Sequence, residues 1–98
     1  MARYTSLPLL SNANATGVAF GWAGFRGSFV VEGTFGGATV KLQFQTPNMT
    51  WIDVDSSNAA LTAPGMVGFE CPPGNIRAFV SGGTPSGLYA YAITNDDY

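Results

Sequence analysis

The strongest constraint on this chain is a strict alternation of apolar and polar side chains. Val40, Leu42 and Phe44 alternate with Thr39, Lys41, Gln43 and Gln45. A period of two gives a β-strand one dry face and one wet face, which a helix at 3.6 residues per turn cannot do. Segments rich in β-branched and aromatic residues surround it at 28–33 (SFVVEG), 50–55 (TWIDVD), 66–71 (MVGFEC), 75–82 (NIRAFVSG) and 87–94 (GLYAYAIT). Turn chemistry separates them at Gly36-Gly37, Pro47-Asn48, Ala63-Pro64-Gly65, Pro72-Pro73-Gly74 and Gly82-Gly83-Thr84-Pro85. Short strands with such punctuation predict an all-β fold: a single small antiparallel β-sandwich, compatible with a jelly-roll-like arrangement, with little or no helix. Only 56–63 (SSNAALTA) reads as one or two helical turns, ended by Pro64 and Gly65. Residues 1–17 read either as a first edge strand near 3–10 or as an arm that orders against a neighbour. Residues 18–26 (VAFGWAGFR) read as one more strand, loosened by Gly21 and Gly24.

At 98 residues the chain supports one core, so residues 1–98 are expected to form a single domain. Cys71 is the only cysteine. The fold is therefore expected to rest on packing rather than on an internal disulfide. The chain has no histidine. That removes His-based zinc sites, Ser-His-Asp and Cys-His arrangements and histidine general bases together. Four Lys and Arg against six Asp and Glu give a net charge of −2. Neither nucleic acid nor a membrane surface is expected as a partner, because both call for a basic patch. The apolar run 7–10 is shorter than a signal peptide requires and is broken by Pro8, so the chain is expected to be made and folded in the cytosol.

The polar candidates for chemistry read as ordinary surface. Asp53, Asp55 and Asn58 resemble the opening of a calcium loop, but Pro64 stands where the closing Glu belongs, and a strand end with turn residues accounts for them. Glu32 and Glu70 could be imagined as the carboxylate pair of a glycosidase. Both lie in predicted strands, where pairing with Arg26 or Arg77 is the simpler reading. Cys71 lacks a base to activate it and reads as a small buried hydrophobe. The Asn14 and Asn48 glycosylation triplets read as chance matches. No catalytic residue, metal or cofactor is expected, and no enzymatic activity.

The unusual segment is FGWAGFRG at 20–27, which carries apolar groups on both parities. Two-sided burial is one account of it. An exposed patch that another chain covers is the other. Charged residues make up only 10% of the chain, against about 25% in ordinary domains. A charge-poor, aromatic-rich surface suits a covered interface. The candidate interface residues are Phe20, Trp22, Phe25 and Arg26, together with Tyr89 and Tyr91. The two tyrosines share one strand face opposite Leu88, Ala90 and Ala92.

From Gly33 to Ile93 a series of motifs runs in order: GATVKLQ at 37–43, WIDV at 51–54, ALTAPG at 60–65, PPGNIRA at 72–78 and PSGLYA at 85–90. In these the chain resembles small β-rich virion structural proteins of tailed bacteriophages, some of which act as capsid decoration or cement proteins. The resemblance covers about two thirds of the chain, leaves out residues 20–27, and rests on strand and turn signatures rather than on a catalytic motif. It implies a non-enzymatic protein on the capsid surface of the virion, made in the bacterial host cytoplasm. Its implied partners are the major capsid protein and further copies of itself, as a dimer or trimer. A carbohydrate-binding module using Trp22, Tyr89 or Tyr91 as stacking platforms is the alternative, followed by a tail or head-completion component.

Overall fold

The computed structural model describes residues 6–54 and 60–94. They form nine strands and no helix: β1 (Ser6–Ala13), β2 (Phe20–Trp22), β3 (Phe25–Thr34), β4 (Thr39–Gln45), β5 (Trp51–Asp53), β6 (Ala60–Leu61), β7 (Gly65–Cys71), β8 (Gly74–Ser81) and β9 (Ser86–Thr94). One sheet has the order β1-β9-β3-β7 and the other β2-β8-β4-β5, with β6 also paired to β4. All pairings are antiparallel. The pairs nest: β1 with β9, β2 with β8, β3 with β7 and β4 with β5. A ribbon of nested antiparallel pairs folded over on itself is the jelly-roll form of the β-sandwich.

The alternation read from the sequence sets which side of each strand faces inward. Val40 and Leu42 of β4, Ile76 and Ala78 of β8, and Leu88, Ala90 and Ala92 of β9 are fully buried. Phe29 and Val31 of β3 and Leu9 and Leu10 of β1 complete the contact between the sheets. Glycine-rich turns tie one end together. Gly36 and Gly83 both have positive φ. Thr84 N donates to Gly36 O at 3.0 Å, and a Cβ on Gly83 would lie 2.4 Å from Ala38 N. The β3–β4 and β8–β9 connections can approach this closely only because no side chain stands between them.

Two sequence expectations change. Residues 18–26 are not one strand: β2 pairs with β8 in one sheet and β3 starts at Phe25 against Cys71 in the other. The chain crosses between sheets at Ala23-Gly24, where Gly24 has φ +80. Within 56–63, Ala60 and Leu61 are strand rather than helix because they complete the β4 edge opposite Val40 and Lys41. Residues 56–59 lie outside the described residues, as do residues 1–5.

Candidate interaction surface

Tyr89, Tyr91 and Ile93 share the parity of β9 that points away from the core, because Leu88, Ala90 and Ala92 take the inner one. Registers with the neighbouring strands place Pro8, Tyr91, Val30 and Met66 in one row across all four strands. Ser6, Ile93, Ser28 and Gly68 form the next row. At about 4.8 Å per strand the rows are roughly 14 Å long, and neither carries a charge. Met66 is 67% exposed and Tyr89 37%. Charge is confined to the margins, with Glu32 beside Tyr89 at one end and Arg26 with Glu70 at the other. Isolated exposed apolar residues are normal on any protein, but a contiguous uncharged row on an open sheet face is the usual sign of a contact surface.

The aromatic-glycine segment divides between fold and surface. Trp22 is 3% exposed and packs on Phe69, with ring centroids 5.0 Å apart and planes tilted by 45°. Its ring lies over Gly27, where a Cβ would come 2.6 Å from the indole. The interface expectation therefore does not extend to Trp22, whose side chain is used up inside the sandwich. Among the described residues Trp22 Nε1 has no hydrogen-bond partner, a burial that costs about 1–3 kcal/mol and that the ring's packing must offset. Phe20 is half-buried against the core. Phe25 is 63% exposed at the end of β3, beyond the cover of the opposite sheet. Arg26 is exposed, and its Nε lies 3.7 Å from Glu70 Oε2. Water on both partners keeps such a pair to about 1 kcal/mol at most.

The outer face of the second sheet is polar and tightly connected, and the sequence expectations did not include it. Arg77 Nε donates to Gln43 Oε1 at 2.9 Å, and Gln43 Nε2 donates to Asp53 Oδ1 at 3.0 Å. Lys41 Nζ reaches the other Asp53 oxygen at 3.4 Å. The Gln43 hydrogen bond, and then the Lys41 charge, hold the Asp53 carboxyl below its ordinary value against a partial desolvation. The Arg77 guanidinium lies 4.3 Å from the centroid of the Trp51 ring and 5.5 Å from that of Phe79. Asn75 Nδ2 donates to Gln45 Oε1 at 3.1 Å. The period-two wet face of β4 signalled this surface. Its partners on β5 and β8 become visible only once the strands are paired.

The remaining candidates lie apart from one another. Cys71 is 8% exposed, and burial pushes its thiol up to about 11. Glu70 pairs with Arg26, six positions along β3 from Glu32 or about 20 Å of strand, so the two carboxylates do not flank a common cleft. Asp53 is engaged by Gln43 and Lys41, while Asp55 and Asn58 lie outside the described residues. No three His, Cys, Asp or Glu side chains gather among the described residues. A shallow open hollow of about 300 Å³ beside Phe44, Gln45, Pro47, Met49, Pro73 and Asn75 has no titratable side chain. The two outer sheet faces thus differ: one is crossed by an uncharged row with charges at its margins, the other is polar and aromatic and braced by its own hydrogen bonds. In comparisons with known proteins, no family model, no curated protein and no solved structure matches the chain.

Proposed function

We propose that the protein is a non-enzymatic virion structural protein of a tailed bacteriophage, a decoration or cement protein that docks on the outer surface of the capsid. The observation that carries this reading is the open, uncharged row Pro8–Tyr91–Val30–Met66 on the outside of the β1-β9-β3-β7 sheet. The charge-poor composition and the resemblance in the motifs of residues 33–93 support it. A cement protein works by adding buried area across seams in a shell, and many symmetric copies multiply a modest contact energy. The experiment is sedimentation of the purified protein with capsids of the phage that encodes it. Wild type should pellet with the shell. A Tyr91→Ser, Met66→Ser double variant should stay in the supernatant with an unchanged urea midpoint.

A second reading, a carbohydrate-binding module, rests on the other face, where Trp51 stands among Arg77, Gln43, Asp53 and Asn75. Amphipathic rings beside fixed hydrogen-bonding groups suit sugars. A glycan array separates the two: a cement protein leaves it blank, whereas a module of this kind binds a defined set of glycans and loses them on Trp51→Ala.

A further inference from the structure

Four edges bound the two sheets, and three of them are guarded against pairing with another chain. β1 is interrupted by two register shifts and by Pro8. β2 is three residues long. On the far side of β4, pairing is split between the three residues of β5 and the two of β6. Bulges, proline and short length are the devices by which natural sheets avoid joining edge to edge. β7 has none of them. It pairs residue for residue with β3, from Phe25↔Cys71 to Val31↔Gly65, without a shift. It contains no proline or lysine, and its one charge, Glu70, is directed to Arg26 on the neighbouring strand. No strand among the described residues pairs with its other side.

We infer that β7 is an assembly edge, at which a second copy of this chain adds its own β7 antiparallel and joins two four-stranded sheets into one of eight strands. The sequence of β7 suits itself across a two-fold axis. Its middle residue is Gly68, where a Cβ would have only Gly27 O, at 3.9 Å, for a neighbour, so two copies can approach without obstruction. About that axis Val67 faces the partner copy's strand at the position of Phe69, on the inner side. On the outer side Met66 stands opposite the partner copy's Glu70 and diagonal to its bare glycine. The two Glu70 carboxylates fall at opposite ends, four residues or about 13 Å apart, which is beyond the ~8 Å over which charges act at physiological salt. The uncharged row Ser6–Ile93–Ser28–Gly68 meets its own copy at the axis, so pairing doubles that row's length. This is an isologous contact, which closes at two copies. It does not rest on the capsid-binding reading: a dimer that ignores capsids overturns only that reading, and a monomer that binds them overturns only this one.

Sedimentation equilibrium of the full chain, up to about 1 mM, tests it. Wild type should form dimers. Gly68→Lys and Gly68→Glu each set two like charges opposite one another at the axis, and each should weaken association by at least about tenfold. The site is open and its φ is ordinary, so both variants should retain the urea midpoint of the monomer. Mixed in equal amounts, the two should form dimers again, which a folding defect would not allow. Gly21→Lys, at the short β2 edge, should dimerise like wild type. A wild type that stays monomeric to 1 mM overturns the inference and leaves the edge to a strand of a different chain. A trimer, undisturbed dimers of the Gly68 variants, or a mixture that fails to pair also overturns it.

Discussion

Trp22 and Phe25 are three residues apart and have opposite fates. Trp22 lies between Phe69 and Gly27, and truncating it leaves a void the size of an indole in a two-layer core. Trp22→Ala should therefore cost about 3–5 kcal/mol, most of what so small a domain possesses. Phe25→Ala, at a side chain 63% exposed, should move the urea midpoint little. Urea titrations of the two variants check both statements. Cys71 gives a pH signature of its own. Its thiol titrates near 11 when folded against an ordinary value of 9.0, because burial disfavours the thiolate. Above pH 9 the unfolded chain loses this proton and the folded chain keeps it. The contribution is thus whole below pH 9 and is lost as pH rises through 11. Denaturation midpoints measured from pH 8 to 11 should fall more steeply for wild type than for Cys71→Ala. A thiol reagent at neutral pH should label the native protein only slowly until denaturant is added.

At the scale of elements, the regular strands were legible in the sequence and their partners were not. β4, β8 and β9 alternate cleanly, so their faces could be read residue by residue, down to the outward pair Tyr89 and Tyr91. Val30, Met66 and Pro8 escaped the reading of the surface because they join those tyrosines only through the order β1-β9-β3-β7, which no local pattern encodes. Trp51 and Arg77 escaped for the same reason, being brought together across β4 from 26 residues apart. Residues 18–26 misled because apolar groups on both parities look like one strand buried on both faces. They are in fact a whole three-residue strand, a corner at Gly24 and the start of another strand. The corners themselves make a prediction. Gly83→Ala forces a left-handed backbone on a residue that resists it, at about 1–3 kcal/mol, and also drives a methyl into Ala38 N. Gly21→Ala meets nothing within 4 Å and should be neutral or slightly stabilising. Thermal melts of the two glycine variants distinguish a required glycine from a tolerated one.

For the whole molecule, the jelly roll separates two tasks. Its interior absorbs nearly every large apolar side chain the alternation places inward, and its two outer sheet faces are left with different characters. The β2-β8-β4-β5 face is braced by its own hydrogen bonds from Arg77 through Gln43 to Asp53. The β1-β9-β3-β7 face carries its apolar row to the open edge at Met66. On the proposed function, it is this second face that meets the shell. Two methionines make a built-in test: Met66 lies on this face and is 67% exposed, while Met49 lies in the β4–β5 turn and is 73% exposed. Mild oxidation followed by mass spectrometry, on the free protein and on the protein bound to capsids, reads both side chains at once. Met66 should be oxidised when free and protected on the particle, with Met49 oxidised equally in both. Protection of Met49 alone, or of neither methionine, would contradict the assignment of the β1-β9-β3-β7 face as the surface that binds.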